Sequence, residues 1–203
     1  IRKIIEDTGK GDKLAMIYIE TPANPTSALI DISLCKKIAD DYSKENKVMV
    51  AVDNTYMGPL WQHPLKHGAD FSLYSATKYI GGHSDVIAGA CCGSKEVITR
   101  VKTLRTFLGN MAAPHTGWLL MRSLETLKVR MEQQALNGEK VAAFLNTHPK
   151  VEKVYYLGLI PDGTEEYSIY KKQYTSPGAM VSFDVKGGEE QAFRLLNSLK
   201  LIK

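Results

Sequence analysis

Val48 to Val52 reads V-M-V-A-V and stops at Asp53-Asn54-Thr55. It is one of several short apolar runs that close on a polar cluster. Lys13 to Glu20, K-L-A-M-I-Y-I-E, ends in an acid and is followed by T-P-A-N-P, whose prolines cannot continue a central strand. Phe71 to Tyr74 is closed by Ser75-Ala76-Thr77-Lys78, and Val86 to Cys92, V-I-A-G-A-C-C, is a fourth candidate strand. Unbroken apolar runs of about 4–8 residues read as strands buried on both faces. After the first run, Asp31 precedes Ile32, Cys35, Ile38, Ala39 and Tyr42 at helical spacing, so it is placed to cap a helix. Strands alternating with helical patterns predict an α/β fold with its sheet covered on both faces.

From Ala112 to His148 the spacing is mostly helical. Leu120, Leu124, Leu127, Met131 and Ala135 form one stripe, and Val141, Ala142 and Leu145 resume it beyond Asn137-Gly138. One long helix, or two meeting near Gly138, is expected, stopped by Asn146-Thr147-His148-Pro149. Beyond it V-E-K-V-Y-Y, a loop, G-A-M-V-S-F-D-V and the helical Glu189 to Leu199 predict a strand–strand–helix remnant of an α+β unit. Residues 1–137 are therefore expected to be a large domain and 138–203 the start of a smaller one. No helix is expected before the first strand, and the final L-K-L-I-K reads as a strand just starting. Both ends suggest a piece of something longer.

Composition narrows the classes. At 203 residues, 44% hydrophobic and 24% charged, the chain matches a soluble globular protein. The net charge of +4 is spread without a basic run, so neither nucleic acid nor a membrane surface is an expected partner. No apolar run approaches the ~20 residues of a bilayer span, and I-R-K-I-I-E-D lacks the features of a signal peptide. Cys35, Cys91 and Cys92 show no metal-ligand spacing and read as buried thiols in a reducing cytoplasm. His63 and His67 stand four apart, but Pro64 between them argues against a helical ligand pair, and no metal is expected from them or from His83 and Asp85.

In open α/β sheets, ligands bind beyond the carboxyl ends of the strands. The clusters there are Glu20 with Asn24, then Asp53, then Ser75, Thr77 and Lys78. A lysine becomes a useful nucleophile when burial lowers its pKa or when it condenses with an aldehyde. A carboxylate beside a ring nitrogen keeps that nitrogen protonated. Hydroxyls and backbone N–H groups hold a phosphate, and Gly81-Gly82 lets the chain turn tightly beside it. Amine, carboxylate and phosphate cup together describe a site for pyridoxal phosphate, whose ring stabilises carbanions.

Four stretches then carry a resemblance: Y-I-E-T-P-A-N-P (18–25), V-D-N-T-Y-M-G-P (52–59), H-P-L-K-H-G-A-D (63–70) and S-A-T-K-Y-I-G-G-H-S-D-V-I-A-G (75–89). With R-S-L-E-T-L-K-V-R-M-E (122–132) and P-G-A-M-V-S-F (177–183), the chain resembles the Cys/Met-metabolism family of pyridoxal-phosphate enzymes along essentially its whole length. The resemblance implies the aspartate-aminotransferase-like fold (fold type I) and a homotetramer built as a dimer of dimers with shared active sites. It implies that Lys78 forms the Schiff base and later shuttles protons. Asp53 would pair with the pyridine nitrogen, Ser75 and Thr77 would sit at the phosphate, and Asn24 would lie near the phenolic oxygen. Glu20 would have a supporting role. The family pattern places a Gly-rich phosphate segment, a stacking tyrosine and a Tyr/Arg pair ahead of residue 1, and the substrate-carboxylate arginine past Lys203. Tyr56, Tyr74 and Gly81 depart from the commoner phenylalanine, histidine and asparagine without removing a group the chemistry needs.

The activity implied is elimination of the β- or γ-sulfur substituent of methionine, cystathionine or homocysteine, giving a 2-oxo acid, ammonia and a thiol. A γ-replacement transferase, in which a thiol adds back after the same elimination, shares these residues. A non-catalytic fragment that only binds or oligomerises is the third reading. Arg122 and Arg130 read as structural, and Tyr155, Tyr156, Tyr167, Tyr170 and Tyr174 as surface and packing residues.

Overall fold

The computed structural model describes residues 1–201. The apolar runs form a sheet of order β1-β2-β3-β4: β1 (Met16–Glu20), β2 (Met49–Asp53), β3 (Phe71–Ser75) and β4 (Gly89–Gly93). The first three strands are parallel, with Ile19 opposite Val52, Glu20 opposite Asp53, and Asp53 opposite Leu73. β4 runs antiparallel to β3, and Ser75 faces Gly89. Parallel strands expose their carboxyl ends at one edge of the sheet, so Glu20, Asp53 and Ser75 come together there without being near in sequence.

One face of the sheet is covered by α2 (Ile32–Tyr42), whose Ile32, Cys35, Ile38 and Ala39 pack on Ile17, Ile19, Val48, Val50 and Val52. Asp31 caps it as expected, its side chain accepting from the Leu34 amide at 3.1 Å. A helix does precede the first strand, against the sequence expectation. It is α1 (Arg2–Thr8), a seven-residue element with one buried side chain, Ile5, which joins the same core. One anchoring residue leaves no periodic stripe to read. The β1 face opposite α2 is open among the described residues: Met16 is 40% exposed and Tyr18 58%. β1 therefore alternates in burial, where coverage on both faces was expected. The thiols also differ from expectation, since only Cys35 is buried; Cys91 is half-buried and Cys92 exposed, as neighbours on a strand point to opposite faces.

Beyond a short α3 (Gly58–Trp61), the helices are α4 (Lys95–Leu108), α5 (Pro114–Leu124) and α6 (Leu127–Thr147). The helical break falls at Glu125-Thr126 rather than Gly138. Gly138 is buried inside α6 because the backbone passes it closely. A Cβ there would stand 3.0 Å from Ala179 Cα, so its lack of a side chain serves packing rather than helix termination. A second apolar cluster joins Tyr56, Met57 and Trp61 to Leu127 and Met131 of α6 and to Leu157 and Tyr174.

The remaining part has an antiparallel pair, β5 (Val151–Tyr155) with β6 (Ser182–Val185), and α8 (Gly188–Ser198). The loop expected between the two strands contains α7 (Glu165–Gln173), capped by Thr164, whose Oγ1 accepts from the Tyr167 amide at 3.1 Å. The unit is thus strand–helix–strand–helix. Residues 199–201 form no strand, and Ile202 and Lys203 of the expected terminal strand lie outside the described residues.

Candidate active site

Each strand end is fixed by a different local device. After β1, Thr21 is fully buried; its Oγ1 accepts from the Ile30 amide at 2.9 Å and pairs with the Tyr174 hydroxyl at 2.8 Å. The amide of Ala23 bonds the Ala28 carbonyl at 2.9 Å, so the T-P-A-N-P loop is pinned at its base while Asn24 stays exposed. After β2, the half-buried Asp53 carboxylate accepts from the Thr55 amide at 3.0 Å through Oδ1 and from the Tyr18 hydroxyl at 3.3 Å through Oδ2. The buried Asn54 donates to the carbonyls of Gly58 and Gln62, each at 3.0 Å, which fixes the chain direction after Asp53.

After β3 the chain closes into a compact turn. The Lys78 amide bonds the Ser75 carbonyl at 3.1 Å, the Gly81 amide bonds Ala76 at 2.7 Å, and the Gly82 amide bonds Lys78 at 2.7 Å. Thr77 Oγ1 accepts from the Ala88 amide at 3.2 Å. Thr55 Oγ1 accepts from the Ser75 amide at 2.7 Å, tying the second strand end to the third.

The structure brings Lys78, Thr77, Asn24 and Glu20 to one cleft of about 660 Å³, together with Thr55, Tyr56, Gln134 and Met180. Asp53 and Ser75 line a second cleft of about 820 Å³ with Tyr18 and Tyr74. The two are joined through the Thr55–Ser75 bond and through the single turn that carries both Ser75 and Lys78. Sequence reasoning missed Thr55 and Tyr18. Both lie inside motifs it had quoted, but only pairing between strands shows what they touch. Met180 also lies inside a quoted motif, P-G-A-M-V-S-F, but far along the chain from the strand ends, and Gln134 left no signal.

The electrostatics are open ones. Among the described residues neither Lys78 nor Asp53 takes part in an ion pair. The donors to Asp53 are neutral, leaving its charge unbalanced and its remaining lone pairs available. Partial burial, then the Asp53 carboxylate, its hydrogen bond and Glu20, raise the Tyr18 phenol above its usual value, so it stays a donor. Burial pushes the Tyr79 hydroxyl up to about 12. An uncompensated amine, an uncompensated carboxylate and two hydroxyls at the strand ends fit a phosphorylated pyridine aldehyde, and the cleft has the size of small-ligand sites. His83 instead turns back onto its own loop, its Nδ1 2.8 Å from the Gly81 carbonyl.

The lysine, the carboxylate and the hydroxyls lie at the carboxyl ends of the strands, where open α/β sheets bind ligands. Residues 4–203 match the model of the Cys/Met metabolism PLP-dependent enzymes, and the chain belongs to that family. An L-methionine gamma-lyase of Treponema denticola is 46% identical over 187 residues, 91% of this chain and 46% of that protein. The chloroplastic cystathionine gamma-synthase 1 of Arabidopsis thaliana is 38% identical, covering 93% of this chain and 32% of that protein. The crystal structure of apo CalE6, a methionine gamma lyase from Micromonospora echinospora, superposes with a TM-score of 0.85 at 37% identity, over 94% of this chain and 50% of that one. The fold is the aspartate-aminotransferase-like one of that family. The chain spans about half the length of the curated lyase it matches.

Proposed function

We propose that this chain carries the lysine side of a pyridoxal-phosphate site in a carbon–sulfur lyase acting on a sulfur amino acid. The observation that carries the reading is the placement of Lys78 in a cleft with Asn24, Glu20 and Thr77, one strand from the unneutralised Asp53. When bound, the cofactor supplies an electron-poor ring that stabilises a carbanion at the substrate Cα. Lys78 would hold the cofactor at its aldehyde carbon and, when its amine is free, would move the proton at the substrate Cα. Asp53 keeps the proton on the ring nitrogen, oriented by Thr55 and Tyr18. Ser75 and Thr77 bind the phosphate, Asn24 orients the phenolic oxygen, and Glu20 supports the same cleft wall. Loss of a β- or γ-sulfur substituent as the thiol would leave an enamine, and its hydrolysis by one water through the imine would give the 2-oxo acid and ammonia. Residues 1–137 form part of the large domain and 138–203 the start of the smaller one. The working form is a cytoplasmic homotetramer.

The γ-replacement transferase is the second reading, supported by the 38% identity to a cystathionine gamma-synthase. A product panel separates the two. 2-Oxo acid from methionine or cystathionine supports the lyase, and thioether from an acylated homoserine with no 2-oxo acid supports the transferase. In the same panel Lys78→Ala should abolish both the products and the yellow colour of the bound cofactor. A Lys78→Ala protein with unchanged absorbance removes the site assignment, and an intact protein that neither binds cofactor nor turns over substrate leaves the non-catalytic reading.

A further inference from the structure

We propose that Arg130 is a positioning residue for Lys78, acting through the backbone of the turn that follows it; this rests on the reading of Lys78 as the cofactor-binding lysine. The Lys78 side chain is itself exposed, so its reach into the cleft depends on where its Cα is held. From α6, Arg130 spreads three donors over three neutral acceptors. Nη1 donates to the Tyr79 carbonyl at 2.9 Å, Nη2 to the Ser123 carbonyl at 2.8 Å and Nε to Thr126 Oγ1 at 3.1 Å. Among the described residues no carboxylate lies within ion-pair range of it. The planar fork is therefore spent on joining the residue after Lys78 to the α5–α6 junction, a task a lysine at this position cannot perform.

Gly82 makes the clamp possible. Its φ is +73°, and a Cβ built on it would stand 2.0 Å from Arg130 Nη1, so the guanidinium lies directly against the glycine backbone. The Gly82 amide in turn bonds the Lys78 carbonyl at 2.7 Å. The Tyr79 ring meets Trp61 edge-on at 5.6 Å, so residue 79 is gripped at both ring and carbonyl. Among the described residues the other side-chain ties on this turn are Thr55 on the Ser75 amide, His83 on the Gly81 carbonyl and Thr77 on the Ala88 amide. None of them reaches the Tyr79 carbonyl.

The test uses the intact protein with Arg130→Lys, Arg130→Ala and Gly82→Ala. In each, the dissociation constant for pyridoxal phosphate is read from absorbance, beside the melting temperature of the apoprotein. Borohydride reduction and peptide mapping identify the lysine that holds the cofactor. All three variants are expected to bind cofactor about tenfold or more weakly, the scale of one lost charge-assisted hydrogen bond. Free guanidinium is expected to restore affinity to Arg130→Ala, but not to Gly82→Ala, while sodium chloride of equal ionic strength does neither. Unchanged cofactor affinity with the label still on Lys78 overturns the positioning role and leaves the site reading intact. So does a loss that tracks the fall in apoprotein melting temperature and is not rescued by guanidinium. A label on another lysine overturns the site reading, and the inference with it.

Discussion

Asp53 holds its charge between two neutral donors, the Thr55 amide and the Tyr18 hydroxyl, on a strand end where a ring nitrogen is proposed to sit. Under the proposed function its role is electrostatic rather than structural. Asp53→Ala should retain some bound cofactor but lose at least about 10²-fold in turnover, typical of a removed electrostatic partner. Near-normal turnover, measured beside cofactor content, contradicts the role. At this scale the candidate residues were legible because each sits in a short segment with an unusual mix: acid, amide, hydroxyl or lysine directly after an apolar run. Arg130 was read only as structural, since the carbonyl it grips lies 51 residues away. A guanidinium's acceptors are backbone atoms, and those carry no residue-specific mark in a sequence.

The helix α2 shows how much a single cap decides for an element. Asp31 accepts from the Leu34 amide and receives Lys172 of α7 at 2.8 Å. Partial burial pushes this carboxyl up, but the Lys172 and Leu34 hydrogen bonds outweigh it, and the net shift is downward. A carboxyl lowered in the folded state stabilises fully above its unfolded value of about 4 and ceases to do so as pH falls through the folded value. Asp31→Ala should therefore lower the unfolding free energy by about 1 kcal/mol at neutral pH. In urea titrations the gap to the parent should narrow in acid; a gap that persists there contradicts the ion-pair part. The elements missed in the sequence had signals of the same kind. Ser94 precedes Val97, Val101, Leu104 and Leu108 of α4, and its Oγ accepts from the Val97 amide at 3.3 Å. Thr164 precedes Glu165 and Glu166, with Lys171 and Lys172 in the last turn of α7, the charge order a helix dipole favours. α1 had no comparable signal.

Across the whole molecule, α7 is fastened to the large sheet by buried polar groups. Tyr174 bonds Thr21 at 2.8 Å and Gln173 at 2.9 Å, while Gln173 also reaches the Ile30 carbonyl at 2.9 Å. Burial pushes the hydroxyls of Tyr79, Tyr156 and Tyr174 up to about 12. Their folded values lie above the unfolded value of about 10, so the stability they contribute is complete below that pH and is lost as pH rises through 12. Ultraviolet titration should show three of the ten tyrosines ionising last, together with unfolding, and Tyr174→Phe should remove one of them. Late ionisation without loss of structure contradicts the assignment.

The amino-acid order alone determined the alternation of strands with helices, the cap at Asp31, and the polar clusters that follow each strand. All of these depend on neighbours within a few residues, where steric preference and hydrophobic period act. Parallel pairing decided that Glu20, Asp53 and Ser75 share one edge, and that Thr55 ties two of their strand ends together. Close packing decided that Gly138 belongs inside a helix and Gly82 beneath an arginine. Those outcomes follow from contacts between distant segments, whose free energy exists only once the chain has closed on itself.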